Sequence, residues 1–418
     1  MLSTLRNAWK VPELRKRFLW TIFLVAIFRI GIHIPVPGID TSYLSSMTNS
    51  GGLLGFYNLI SGGALSKFSI FALSVSPYIN ASIIVQLLTI AIPSLEQLSK
   101  EGEEGRNKIQ SITRYASIAI GFVLAIGIYS MIAAQGAATG LSSAQKVVVL
   151  IALVVGSTFC MWLGDQITQK GFGNGVSILI FVNIVSQLPT TLMSLFTLKE
   201  AGEITIIEIA LFLVGTLALL VFTIYFSLAE RRVPIQYAGK AVGTKVMRGQ
   251  STHIPLSLIG SAVIAIIFAM SVMMFPETIA NFFPTKGWSK WILTSPYSIF
   301  NKSTWMYPVC YAVLTVFFTW FYTQITFKPD EMAENLHKSA GFVPGIRPGE
   351  ATEKYFEKLL TKVSIIGGLF AAFLAVTPIL VGKYISGVQF GGTSLLILIG
   401  VALDFSRQLD SQLVMRHY

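Results

Sequence analysis

The chain is poor in charge. Of its 418 residues only 12% are Asp, Glu, Lys or Arg, while 53% are hydrophobic; a soluble domain carries roughly 25% charged residues. So few charges cannot cover an aqueous surface of this size. That argues against a soluble globular protein and points to lipid as the solvent. Cysteine is also scarce. Cys160 and Cys310 both fall in apolar stretches, which reads as lipid-buried thiols and not as a disulfide. Four histidines, His33, His253, His337 and His417, are scattered without metal-ligand spacing. No cleavable signal peptide is evident, because a basic N-terminal segment leads into an apolar run too long for a signal core.

Acid is scarcer than base, and the net charge is +11. In a membrane protein this balance suggests basic cytoplasmic loops, anionic lipid, or an acidic or RNA-bearing partner at the membrane face.

Long apolar runs, by contrast, are abundant. A spanning helix needs ~20 apolar residues. Candidate spans fall at 18–36, 69–92, 112–134, 146–166, 175–195, 205–228, 256–276, 306–327, 360–382 and 390–406. Lys and Arg gather on one set of the connecting loops. The other set holds only Lys67, Lys146, Lys199, Lys286, Lys290, Lys302 and Lys383 of the 31. This bias predicts both termini in the cytoplasm, as an even number of spans requires. Ten spans divide into five and five, residues 1–195 and 196–418. If a duplication produced them, an odd-numbered half must lie inverted against its partner, with a functional site between the two near the midplane.

The spans themselves lack mid-membrane ionisable groups. Arg29 lies near the outer end of the first, and Asp165, Glu208 and Asp404 lie near predicted ends. Pumps and solute transporters ordinarily place such groups within the bilayer. Phosphate loops are missing as well. "AGKAVGTK" (238–245) fails the pattern because Ala241 follows Lys240, and "GFGNGV" (171–176) reads as a tight turn entering the fifth span. No Ser-His-Asp or paired-carboxylate arrangement stands out. The chain is expected to house no reaction, no cofactor, no metal and no energy source.

Two cytoplasmic loops, 229–255 and 328–359, are long, and connections of that length are usually functional or disordered. Positive-inside bias accounts for the sign of Arg231, Arg232, Lys240, Lys245 and Arg248, and of Arg347 in the second loop. It does not account for the length, and a docking surface is the favoured reading. The segment "ISGGALSKFSIFALSVSPYINASIIVQLL" (60–88) is odd in a different way. It opens on Gly62-Gly63 and carries Lys67, Pro77, Asn80, Ser82 and Gln86. From the residues alone, a mobile joint before a half-length helix and a plain glycine-rich external loop are equally good readings.

Eight collinear stretches resemble the SecY family of protein-conducting channels. They are "IPVPGID" (34–40), "SGGALSKFSIFAL" (61–73), "PYINASIIVQLL" (77–88), "EGEEGRNKI" (101–109), "GNGVSILIF" (173–181), "QSTHIPL" (250–256), "FVPGIRPG" (342–349) and "GGTSLLI" (391–397). The resemblance implies an all-α membrane protein of ten transmembrane helices, in two inverted five-helix halves around a central pore. It also implies a short plug helix near 53–66, with Phe56, Asn58, Gly62, Gly63 and Lys67 as plug and hinge. A hydrophobic pore ring maps to Ile79, Ile83, Val176, Ile180, Ile267 and Ile397, although isolated aliphatic residues in a membrane helix are ordinarily core or lipid-facing. Such a constriction dewets and seals against ions while offering a passing peptide nothing to bind. Asn80, Ser82 and Gln86 would line a lateral gate between the second and seventh spans; structural bonds between permanently packed helices are the plainer alternative. Implied partners are SecE-like and SecG-like membrane subunits, the ATPase SecA, the ribosome, signal sequences, unfolded polypeptide and membrane lipids. The chain ends soon after the tenth predicted span, so contacts made by a longer basic tail in relatives are in doubt here. The runner-up reading is an inverted-repeat secondary transporter of small solutes. A membrane-embedded enzyme comes third.

Overall fold

The computed structural model describes residues 9, 11–39, 58, 61–134, 142–200, 202, 204–237, 241–242, 245–246, 251–258, 262–282, 286–301, 304–384 and 392–414. The helices among them are α1 (Pro12–Gly31), α2 (Ser76–Ala91), α3 (Pro93–Lys100), α4 (Glu103–Ala134), α5 (Ser143–Lys170), α6 (Gly175–Glu200) and α7 (Ile206–Leu228). They continue with α8 (Ala262–Phe282), α9 (Gly287–Thr294), α10 (Met306–Phe327), α11 (Pro329–Lys338), α12 (Glu350–Tyr384) and α13 (Gly392–Val414). Every predicted span overlaps one of them. Among the described residues six helices are long and apolar enough to cross a membrane, or seven if the bent pair α2–α3 is one span. The chain is a mostly helical, multi-pass membrane protein.

Local chemistry sets the helix ends. Ile92, just before Pro93, is forced into an extended conformation (φ −111°, ψ 113°), and α2 and α3 meet there at a bend of 101°. α7 starts on a capping box. The Glu208 amide donates to Thr205 Oγ1 (3.3 Å), and the Thr205 amide donates to the Glu208 carboxylate (2.7 Å). The predicted second span begins at 69, but the helix starts only at Ser76. Residues 61–75 form a run of turns, with Phe68 and Ser74 at positive φ. This stretch lies directly against α5. A Cβ on Gly156 would collide with the carbonyl of Ile70, so glycine at 156 permits the approach.

Helix pairing follows a pattern. In the first half α1 packs on α5 and α6, α2 on α4 and α5, α4 on α5, and α5 on α6. Five spans later α7 packs on α13, α8 on α10 and α12, α10 on α12, and α12 on α13. The main contacts between these sets are α4 with α8 and α6 with α13. Lipid supplies no hydrophobic drive between helices, so close packing must hold them. Phe226 of α7 stacks on Phe370 of α12 at 4.2 Å. Thr315, Thr319 and Thr323 of α10 are buried and satisfy their hydroxyls on the carbonyls four residues back.

The expectation of an all-α chain needs correction in the two long loops. The 229–255 loop forms strands β1 (Glu230–Tyr237) and β4 (Ser251–Ser257), with β2 (Ala241–Val242) and β3 (Lys245–Val246) paired between them. β5 (Gly341–Phe342), from the other long loop, adds antiparallel to the end of β1. β1 alternates: Val233 and Ile235 are buried while Arg232, Pro234 and Gln236 are exposed. That period of two turns one face onto Leu336, Val343, Phe356 and Leu360. The sequence lacks an obvious strand signal here because Pro234 and Pro255 interrupt both long strands. β5 reaches only Gln236 and Tyr237, so no ladder bond on that side is asked of Pro234.

Candidate functional site

Two apolar clusters occupy the middle of the helical body. The first joins Leu24 and Phe28 of α1, Cys160 and Leu163 of α5, Ile180 and Ile184 of α6, and Leu395 and Ile397 of α13. The second joins Ile83 of α2, Ile266 and Ala269 of α8, Tyr311 of α10, Leu374 of α12 and Leu396 of α13. Ile79, Leu219 and Val263 pack against both. The predicted ring residues are thus distributed: Val176, Ile180 and Ile397 in the first cluster, Ile83 and Ile267 in the second, Ile79 between them. Val75 was not singled out from the sequence. It lies one turn before Ile79 on the same face, is fully buried, and belongs with Ile180 and Ile397. The i, i+4 spacing that drew attention to Ile79 and Ile83 fits Val75 and Ile79 equally; only packing separates the two choices.

Next to Ile79 stands Asn80. Ser271 of α8 donates its hydroxyl to Asn80 Oδ1 at 3.2 Å, a hydrogen bond from the seventh predicted span to the second. Ser82 and Gln86 are placed otherwise. Gln86 Nε2 donates to Ser82 Oγ at 3.4 Å along α2 itself, on an exposed face. Of the three gate candidates Asn80 bonds across the seam, whereas Ser82 and Gln86 lie on another face of a helix of 3.6 residues per turn.

The hinge candidates form a compact polar knot. The Asn58 side chain accepts from the Ser66 amide (2.9 Å), and the Asn58 carbonyl accepts from the Gly63 amide (2.8 Å) and the Ser61 hydroxyl (3.1 Å). Gly62 and Gly63 have φ +68° and +86°, which favours glycine. Arg29, near the outer end of α1, donates to the Gly62 carbonyl at 3.5 Å. Lys67 is exposed. Phe56 and half of the predicted plug, residues 53–57, 59 and 60, lie outside the described residues.

A polar link ties the third and fourth spans. Arg114 Nη2 meets Asp165 Oδ2 at 2.8 Å, and Gln110 donates to Asp165 Oδ1 at 3.3 Å. On α3, the Lys100 ammonium hydrogen-bonds Glu96 at 2.7 Å. That bond holds the Glu96 carboxyl below its usual range and the Lys100 ammonium above its own, with smaller contributions from Lys328 and from Glu331 and Asp330. Those residues stand at the start of α11.

Arg231 and Arg232 are exposed on β1, and Arg347 is exposed on the turn after β5. The carbonyl of Arg347 accepts from Thr352 Oγ1 at 2.8 Å, which ties this turn to the start of α12. Lys240 and Arg248 lie outside the described residues. Of Lys245 only the backbone, in β3, is described. The two long loops build one surface, because β5 adds to β1 and both share the cluster around Phe356.

The SecY family model matches residues 69–406. The chain belongs to the SecY family. Similar relatives are the protein translocase subunit SecY of Rickettsia typhi, 40% identical over 97% of this chain and 95% of that one, and that of Escherichia coli K12, 39% identical over 97% and 93%. A solved structure described as a protein conducting channel superposes with TM-score 0.69 at 19% identity, covering 98% of this chain and 97% of that one. Sec61 from a canine ribosome-channel complex gives 0.63 at 18%, covering 98% and 97%. SecY membership sets aside the small-solute transporter. The SecY resemblance led sequence reasoning to Ile79, Ile180 and Asn80. It left unseen Val75, Ser271, the Arg29–Gly62 contact and the Arg114–Asp165 pair. Arg29 and Asp165 were legible as scarce charges; nothing in the sequence marked Ser271.

Proposed function

We propose that this chain is the channel subunit through which unfolded polypeptide crosses the cytoplasmic membrane and through which hydrophobic segments leave sideways into lipid. Ten spans form two inverted halves, 1–195 and 196–418, with both termini cytoplasmic. The repeated helix pairing five spans apart supports the halves, and the bias of Lys and Arg supports the orientation. Relatives at about 40% identity bear the name protein translocase subunit, and the reading extends that activity to this chain. It assigns no catalytic residue.

The observation that carries it is the meeting of two apolar clusters at Ile79, Leu219 and Val263, beside the Asn80–Ser271 bond. Val75, Ile79, Ile83, Val176, Ile180, Ile267 and Ile397 form the sealing waist, with Ile83 and Ile267 on the side of the second cluster. Aliphatic side chains exclude ions by dewetting, and a threaded chain displaces them without breaking hydrogen bonds. The knot at Asn58–Ser66 seats the plug that begins before it. An apolar signal sequence in the waist exchanges the Asn80–Ser271 bond for hydrocarbon and parts α2 from α8. The surface formed by Arg231, Arg232 and Arg347 receives SecA or a ribosome, which supplies the energy. SecE-like and SecG-like subunits hold the halves together from outside.

The test is capture of a transiting chain. A substrate with a bulky folded end, stalled in reconstituted vesicles, should crosslink to photoreactive groups at Ile79, Ile180 and Ile397 and not to Leu217 on the outer face of α7. Equal capture at Leu217, or none at the three, refutes the waist.

A further inference from the structure

We propose that residues 286–301 and Trp305, centred on α9, form a membrane-interface anchor that fixes the outer end of α8 to anionic phospholipid. The inference rests on the orientation given above, which puts this segment on the external side.

The segment has two unlike sides. Its inner side is closed. The Ser289 hydroxyl, on a buried side chain, donates to the Ala280 carbonyl of α8. Ser298 Oγ donates to the Ile292 carbonyl at 2.9 Å, and Asn301 Nδ2 to the Ser295 carbonyl at 3.1 Å. Phe300 packs against the α8 cluster. Its outer side carries large aromatic rings in the open: Trp288 is 44% exposed, Trp291 54%, Tyr297 81% and Trp305 67%. On α9 the two tryptophans are three residues apart and share a face. Exposed Lys290 and Thr294 occupy the adjoining face, and exposed Lys286 precedes the helix.

This distribution fits one environment. Trp and Tyr collect where the ring body meets acyl chains and its N–H or O–H meets headgroups. Lysines beside them reach phosphate. Four aromatic rings this exposed within one short segment are unusual in water. The patch also continues a lipid-facing strip, since Met306, Val309 and Val313 of α10 follow Trp305 and are 48%, 61% and 64% exposed. Because α9 is bonded to α8, and α8 carries Ser271, the anchor sits on the moving side of the gate. Parting α8 from α2 drags two tryptophans through the headgroup layer, so outer-leaflet composition weighs on opening.

The experiment uses the full chain in phosphatidylcholine vesicles with and without phosphatidylglycerol, in a Cys160→Ala, Cys310→Ala background. An environment-sensitive fluorophore is attached at Trp291→Cys or, as a control, at Leu217→Cys in mid-α7. Headgroup-proximal spin-labelled lipids should quench the 291 label, and deep ones the 217 label. Lys286→Glu with Lys290→Glu should reduce phosphatidylglycerol enrichment at the 291 label about fivefold per lysine, the equivalent of ~1 kcal/mol for each basic residue near an anionic surface. Should the labelled variants fold poorly, the wild type suffices. Shallow brominated lipids should quench its emission more than that of Trp288→Phe, Trp291→Phe. Aqueous iodide quenching at 291 with no lipid quenching, or shielding at 291 that appears only with a protein partner, overturns the anchor. Loss of lipid quenching at 217 instead overturns the membrane reading beneath it.

Discussion

Replacing Asn80 by Leu isolates the seam. In the structure Asn80 Oδ1 takes one hydrogen bond from Ser271, at 3.2 Å, and leucine keeps the volume while removing the acceptor. Interhelical hydrogen bonds in bilayers contribute ~0.6–2 kcal/mol, so the closed arrangement should lose that much, a factor of about 3 to 30 in its equilibrium with the parted one. A signal sequence must supply the difference by partitioning. Each leucine contributes about 0.5 kcal/mol at the centre of a bilayer, so the minimum signal that is accepted should fall by about one to four leucines. A graded Leu/Ala signal series, scored by translocation into reconstituted vesicles, reads this directly. Ser271→Ala should give a similar shift, and the double variant should add little, since both remove the same bond. Fully additive effects, or an unmoved threshold, would refute the reasoning. Gln86→Leu, which removes a bond to Ser82 on the same helix, should leave the threshold where it is.

Four further outcomes are expected. Val75→Asn and Ile180→Asn should raise chloride leak in proteoliposomes more than Ile83→Asn does, because Val75 and Ile180 share a cluster from which Ile83 is absent. Gly62→Ala places a Cβ on Asn183 Oδ1 and 2.8 Å from Arg29 Nη1, at φ +68°. It should unseat the hinge by about 1–2 kcal/mol from the backbone alone, seen as channel openings in planar bilayers without substrate. Asp165→Asn should lower the detergent melting temperature. Breaking a buried pair costs ~3–5 kcal/mol, but Arg114 is 38% exposed, so about half that is expected; an unchanged melting temperature would remove the pair from the list of fold determinants. Arg347→Glu should impair SecA-driven translocation while leaving chloride leak at the wild-type level, and a raised leak would mean that the docking turn also controls the seal.

Composition and hydropathy alone determined much of this protein: a membrane solvent, the positions of ten apolar stretches, and the loops richest in base. These are one-dimensional properties, because crossing a bilayer constrains each segment separately. Collinear motifs added the family, and with it Ile79, Ile180 and Asn80. What only the tertiary structure decided are pairings between distant segments. An aliphatic residue reads the same whether it faces lipid, a neighbour or a central waist, so Val75 and Ile83 were indistinguishable until packing assigned them to different clusters. Ser271 became notable only because α8 meets α2 at Asn80, and the strands around Pro234 only because two loops more than 70 residues apart in sequence fold onto Phe356. Apolar character is written residue by residue; which residue meets which is a property of the assembled helices.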